Sequence, residues 1–483
     1  MSSRHRPSAG SVTVGREYDV VPADAKPPAP QDAPYPSFDY KTPLIRGLAP
    51  ALPVPFRVLV FPSSNEPGLE VIQALARTNK VQVLGGSSYG GEWDPSRLWV
   101  HRHLDCPALG DVDFRRRLEA LMEEHRVDIL FPTTDALVAE VSTWRDSPVR
   151  IVAADPQAAH ICASKVQTYK TLGELVPVPR VYDDDRGVTF PAYGKPDLGS
   201  GSRGATELRD DSDLARARSA ELLVHEHLPG LEYTVDCLGD LDGNLIVANI
   251  RVRGLVQRGI ALGTAHVEHP EIARHVDTIA STLRLRGPWF AQFKLDAQGR
   301  PRLLEVNARV AGSMVLTRLS GINIPLISVF LFGGWDVRIP RQQPGSRVLR
   351  HLRSMGEVSD FDWVIWDLDD TLVRPDGKPD PEAVARLYDL HNQDKRQVLF
   401  TRNADPRAVI ERLHLPPIFV EVHQVTDKLV TLEGILHQHG IDPARCVFVN
   451  DSVSENLAVQ DLFPEMRTIM PDALDVLARE KVN

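Results

Sequence analysis

Residues 289–313 read WFAQFKLDAQGRPRLLEVNARVAGS, and this stretch decides the fold of the middle of the chain. Two strand-like runs, FAQFKLD and PRLLEVN, flank a short turn around Gly299, which predicts an antiparallel hairpin with one covered face. On that hairpin Gln292 and Glu305 fall on neighbouring strands, and Asn307 and Arg309 follow at once. Oxygen donors gathered in this way suit a hard divalent cation, and an arginine beside them suits phosphate. Upstream, KPDLGSGSRGA sets Lys195 ahead of a glycine-rich loop, residues 199–204, where small residues let backbone N–H groups close on an anion.

The surrounding sequence extends both patterns. From about residue 155 to 340, LLVHEHL, EYTVDCLG and LIVANIRV alternate as antiparallel strands do. Before them, FRVLVFP (56–62), the helical pattern EPGLEVIQALARTN and VQVLGG form a β-α-β unit. A helix around 113–125 then leads into the buried-strand pattern DILFPTTD. This part, residues 55–154, predicts a small parallel sheet with helices on both faces. Residues 1–54, rich in Pro, Ala and Asp, read as a flexible tail or a wrapping arm. The polar stretch 342–357 reads as a linker, and 358–483 as a separate α/β domain.

The glycine loop and the E-x-N-x-R element together resemble the ATP-grasp superfamily, in its carbamoyl-phosphate-synthase-like and amino-acid-ligase branch, over about 56–340. The resemblance implies a pre-ATP-grasp α/β domain at 55–154 and an ATP-grasp domain at 155–341. It implies that Lys165 and Lys195 contact the phosphates or base of ATP, with loop residues Gly199, Ser200, Gly201 and Ser202 around the phosphates. Glu226 and Leu228 would offer backbone groups to adenine, and Glu232 would accept from the ribose hydroxyls. Gln292, Glu305 and Asn307 would hold one or two Mg²⁺ ions, or Mn²⁺ in their place, with Arg309 as a catalytic cation. Arg251, Arg253 and Arg258 lie where relatives contact the acceptor substrate. The sequence departs from the pattern at His225, where the family commonly has Glu or Gln, and at Gln292, which is Glu in many relatives.

In the last quarter, WVIWDLDDTLV ends an apolar strand with Asp367 and sets Asp369 two residues on. VLFTRN ends another strand at Thr401, Lys428 opens a helical pattern, and CVFVNDSVSEN ends a third with Asp451 and the nearby Glu455. In that order these motifs resemble the haloacid dehalogenase superfamily over about 361–471. The resemblance implies a Rossmann-like domain in which Asp367 is the nucleophile and Asp369 the acid and base. Thr401 and Lys428 would hold the phosphoryl group, while Asp367, Asp369 (through its carbonyl) and Asp451 would bind Mg²⁺. The intervals between motifs leave no room for a large cap.

A net charge of −10 argues against nucleic acid or an anionic membrane as partner. Neither a CxxC pair nor an apolar run of about 20 residues occurs, which predicts a cytoplasmic protein. The resemblances imply small-molecule partners and allow a homodimer. The functional expectation is a fusion. An ADP-forming ligase would join a carboxylate to an amine through an acyl phosphate, and a phosphatase would act on a phosphorylated metabolite of the same pathway. The alternatives are an ATP-grasp kinase opposed by the phosphatase, and a nucleotide sensor without turnover.

Overall fold

The computed structural model describes residues 19–20, 43–89, 93–199, 201, 203–257, 259–340, 347–350 and 360–477. The chain divides into two compact units, Met1–His351 and Leu352–Asn483.

In the first unit, β1 (Asp19–Val20) precedes a five-stranded parallel sheet made of β2 (Phe56–Phe61), β3 (Val81–Ser87), β4 (Arg102–Asp105), β5 (Ile129–Pro132) and β6 (Arg150–Ile151). Its order is β4-β3-β2-β5-β6, and its helices are α1 (Glu66–Leu75), α2 (Phe114–Glu124) and α3 (Asp135–Val141). The run FRVLVF is apolar at nearly every position because both faces of β2 are covered. Val58 and Val60 pack with Ile72 of α1, while Leu59 and Phe61 face Leu118 and Met122 of α2.

Next come α4 (Pro156–Ala163) and α5 (Lys165–Leu172), then a small sheet of β7 (Ala192–Lys195), β8 (Thr206–Leu208) and β9 (Leu223–Glu226), backed by α6 (Asp211–Ser219). A large antiparallel sheet follows, made of β10 (Glu232–Gly239), β11 (Leu245–Gln257), β12 (Ile260–His266), β13 (Gly287–Leu295), β14 (Pro301–Asn307) and β15 (Arg347–Leu349). Its order is β14-β13-β10-β11-β12-β15, with β1 paired to β11. Helix α7 (Pro270–Leu283) follows β12, and α8 (Val315–Leu319) and α9 (Ile324–Phe332) follow β14.

Strand alternation gives this sheet two unlike faces. Tyr233, Val235, Cys237, Ile250, Ala291 and Phe293 pack against α7 residues Ile272, Val276 and Ile279. The opposite face is polar. Register pairs Thr234 with both Arg251 and Gln292, pairs Gln292 with Glu305, and in the next row pairs Asp236 with Asn249 and Phe290. The antiparallel hairpin expected from residues 289–307 is β13 and β14.

Two sequence expectations need correction. Residues 43–54 are no flexible tail: the Ile45 and Val337 backbones exchange hydrogen bonds, and Leu48 and Leu52 donate to the carbonyls of Leu331 and Gly333. Arg150 donates to the carbonyls of Leu48, Pro50 and Phe332. Proline-rich chain stays ordered here because its backbone groups find partners on the loop after α9. Likewise the stretch expected as a linker contributes β15, whose Val348 is buried and pairs with Thr264 of β12.

The second unit is a parallel sheet of β16 (Trp363–Asp367), β17 (Arg396–Thr401), β18 (Glu421–Gln424), β19 (Cys446–Val449) and β20 (Arg467–Ile469). Its helices are α10 (Pro381–His391), α11 (Pro406–Arg412), α12 (Lys428–His439) and α13 (Val453–Leu462). The order β18-β17-β16-β19-β20 reverses direction at β16, so a crevice opens beyond the carboxyl ends of β16 and β19. Residues 370–400 supply only a short turn, α10 and β17, so no inserted domain stands over that crevice among the described residues. No helix among the described residues is long and apolar enough to cross a membrane.

Candidate active sites

The first site lies where the polar face of the large sheet meets α5 and β7. Lys165 is the first residue of α5, capped by Ser164, and its Nζ donates to the carbonyls of Asp197 (3.1 Å) and Gly199 (3.0 Å). It thus fastens the start of the glycine loop. Gly199 and Gly201 have φ of 110° and 70°, values open to glycine and strained for other residues. Ser200 and Ser202 lie outside the described residues.

Lys195 ends β7 and is buried, with Nζ donating to the Tyr169 hydroxyl (2.9 Å) and the Leu304 carbonyl (3.1 Å). Burial pulls its ammonium down to about 8, an effect that Glu305 opposes and Lys165 assists. His225, on β9, is 3% exposed, and burial followed by the charge of Lys195 lowers it to about 3. Its Nδ1 faces the Glu226 carbonyl at 2.7 Å, so Nδ1 carries the proton and the unpartnered Nε2 is a buried acceptor. The Glu226 carboxylate accepts from the Arg180 backbone N–H (3.0 Å), and Leu228 is buried.

On the sheet itself, Arg253 Nη1 donates to Glu232 (2.5 Å) and its Nη2 to the Gly259 carbonyl (2.5 Å). With the amide turned to satisfy both neighbours, Gln292 accepts from Arg253 (3.0 Å) and donates to Glu305 (3.1 Å). Asn307 is buried and its amide nitrogen has no partner. Arg309 stacks over Phe290 and donates through Nε to Asp135 of α3 (2.9 Å), whose second oxygen is unpartnered.

The arginine readings divide. Arg258 lies outside the described residues, and Arg253 faces the site. Arg251 is fully buried in a bidentate pair with Asp236 (2.9 and 3.0 Å), which also accepts from Thr317 (2.7 Å). Its role as a substrate contact is therefore corrected: the guanidinium is engaged in the sheet and acts structurally. Arg251→Met strands the Asp236 charge and should destabilise the fold by about 3–5 kcal/mol. Urea unfolding of wild type, Arg251→Met and the double variant with Asp236→Leu checks this, and the double variant should recover much of the loss.

In the second unit, Asp367 ends β16, and its Oδ1 lies 2.8 Å from Lys428 Nζ at the start of α12. Lys428 also reaches Glu455 of α13 (2.7 Å), which accepts from Asn450 (2.8 Å) and pairs with Arg402 (2.7 Å). Thr401, ending β17, donates to Asp369 (3.2 Å). Desolvation raises Asp367 to about 6; Lys428 opposes this and Asp451 adds to it.

That shift has a definite sign. The fold favours protonated Asp367, so the stability it confers is complete below the ordinary value of 3.8 and lost as pH rises through about 6. Asp367→Asn, which cannot ionise, should therefore melt higher than the metal-free wild type at about pH 7.5, with the difference shrinking toward pH 4. Thermal melts at both pH values decide it; a difference that grows on acidification contradicts the reading.

The sequence reading did not supply Tyr169, Asp135, Arg402 or Asn450. Their partners, Lys195, Arg309 and Glu455, lie on other elements, and only Asn450, beside Asp451, had a local signal. Among the described residues, no group of three or more His, Cys, Asp or Glu side chains is arranged to hold a metal. Both expected cation sites draw instead on amide or backbone oxygens besides carboxylates.

Comparison with known proteins agrees with the fold of the first unit. A family described as "ATP-grasp in the biosynthetic pathway with Ter operon" matches residues 218–352. Biotin carboxylase from Campylobacter jejuni, solved with a β,γ-ATP compound, is similar at 15% identity and TM-score 0.50, over 61% of this chain and 74% of that one. N5-carboxyaminoimidazole ribonucleotide synthetase, solved with ADP, is similar at 12% identity and TM-score 0.50, over 61% of this chain and 81% of that one. No curated protein matches. The chain carries an ATP-grasp fold.

Proposed function

We propose that the first unit is an ATP-dependent, ADP-forming ligase that joins a carboxylate to an amine through an acyl phosphate. The observation that carries this is the convergence of Lys165, Lys195, Glu232, Glu305, Asn307 and Arg309 around one sheet face and one glycine loop. ATP would lie with adenine against the backbone of Glu226 and Leu228, its ribose on Glu232, and its phosphates under Gly199 and Gly201. Lys195, partly neutral near pH 8, would approach the phosphates from the buried side while Lys165 closes the loop. Glu305 and Asn307 would hold Mg²⁺, which neutralises phosphate charge during transfer. Arg309, held at a fixed angle by Asp135 and Phe290, would face the charge developing on the transferred group. Each residue contributes placement and charge; the covalent chemistry belongs to the substrates.

The second unit we read as a phosphatase. Asp367 would attack phosphorus, Lys428 and Thr401 would hold the phosphoryl oxygens, and Asp369 would protonate the leaving group and later take a proton from water. Asp367, Asp451 and the Asp369 carbonyl suit Mg²⁺, since a cation there offsets the burial that raises Asp367. The open crevice suits a bulky phosphorylated substrate, and the natural candidate is a substrate or product of the ligase. Following the phosphorylated ligation product with wild type and Asp367→Asn tests that link. If the product carries no extra phosphate in the variant, the two activities do not act in sequence.

A further inference from the structure

We propose that Tyr169 is a positioning residue for the nucleotide phosphates, acting through Lys195. The inference rests on the nucleotide reading above and adds to it a residue that the reading does not use.

Three groups from three elements meet at one point. Tyr169 lies on α5, one turn beyond Lys165 and on the same side of the helix. Its hydroxyl accepts from Lys195 Nζ of β7 (2.9 Å) and donates to the Leu304 carbonyl of β14 (3.0 Å). Lys195 donates to that same carbonyl (3.1 Å), which closes a triangle. Strand β14 bulges there: Gln292 of β13 stands opposite Glu305 and Phe293 opposite Leu303, so Leu304 has no opposite residue. The helix that fastens the glycine loop through Lys165 thus also fixes Lys195 against the strand that carries Glu305.

The chemistry of the triangle suits a cation reserved for a ligand. Tyr169 and Lys195 are both buried. Burial, with Glu305 adding to it, pushes the Tyr169 phenol up, so the hydroxyl keeps the proton that it donates to Leu304. The two oxygens that receive Lys195 are neutral, and they fix the ammonium without cancelling its charge. An ammonium has three N–H groups; with two committed, the third has one direction left, and a phosphate oxygen is the acceptor that needs it. Without the hydroxyl, Lys195 keeps a single contact and can turn about it. Lys195 Nζ also lies 5.3 Å from the centre of the Tyr169 ring, a contact that phenylalanine preserves, so Tyr169→Phe removes the oxygen alone.

Calorimetric titration of the full chain with Mg·ATP tests this as a double-mutant cycle. Tyr169→Phe should bind about tenfold more weakly than wild type, as expected for one lost hydrogen bond to a charged group. In a Lys195→Met background the same change should weaken binding by less than about twofold, because no ammonium remains to be placed. Equal weakening in both backgrounds would mean that Tyr169 acts through packing, and the proposal would be overturned. Wild-type affinity in Tyr169→Phe, or in Lys195→Met, would overturn it as well. So would a Tyr169→Phe chain that fails to fold, judged by near-ultraviolet circular dichroism, since the hydroxyl would then belong to the core. A wild-type chain that binds no ATP would remove the nucleotide reading itself, before any variant is compared.

Discussion

Asp367→Asn should lower release of phosphate from p-nitrophenyl phosphate in Mg²⁺ buffer by at least about a thousandfold, the scale expected when a covalent nucleophile is removed. The effect is large because the asparagine amide cannot form the proposed phosphoaspartyl bond, whereas Lys428 and Thr401, the neighbours proposed to hold the phosphoryl group, remain in place. ADP affinity should not move, since no ADP contact proposed above comes from this unit. The paired readout separates a lost nucleophile from a misfolded chain. Thermal melting adds a further separation, because the same variant is expected to be more stable than wild type near neutral pH. A residue that weakens its fold while it serves chemistry fits a functional site better than a structural one.

The second large effect belongs to Glu305. Glu305→Gln keeps the shape of the side chain but removes the one carboxylate of the proposed cation pair and the anion that supports charge on Lys195. ATP-dependent ADP formation should fall by about a hundredfold to a thousandfold, as when one preorganised charge is withdrawn from a transfer site. Lys195 should then titrate lower, because only Glu232 is left to oppose burial and Lys165. Steady-state ADP release measured across pH checks both statements. An unchanged rate in Glu305→Gln would mean that the polar sheet face does not carry the phosphoryl transfer.

The parts of this account that were legible in sequence are those in which chemistry and periodicity are local. FRVLVF and WVIWD read as strands because a parallel strand covered on both faces is a continuous apolar run. The β13–β14 hairpin read correctly because its turn and alternation are contiguous. Asp367, Thr401 and Lys428 were visible as polar residues at the ends of apolar strands or the start of a helix, and the sheet order brings them together.

What the sequence concealed depends on distant partners. Arg309 and Asp135 are 174 positions apart, yet their ion pair fixes the angle of the arginine. Arg251 and Arg253 look alike in the segment RVR, but different rows of the sheet give one a buried Asp236 and the other Glu232. Residues 43–54 look disordered by composition, and distant partners, the Val337 backbone, the carbonyls of Leu331 and Gly333 and the Arg150 side chain, explain why they hold a place. The direction of the Gln292 amide is set by two neighbours that no linear pattern orders.

The central claim is that this chain ligates two small molecules at the expense of ATP. The most direct measurement is mass spectrometry of a metabolite extract incubated with the full chain, ATP and Mg²⁺. The account predicts loss of one carboxylic acid and one amine, together with ADP and a product whose mass is their sum less one water. A product that is a single metabolite plus a phosphate, or ATP bound without any product, would contradict it.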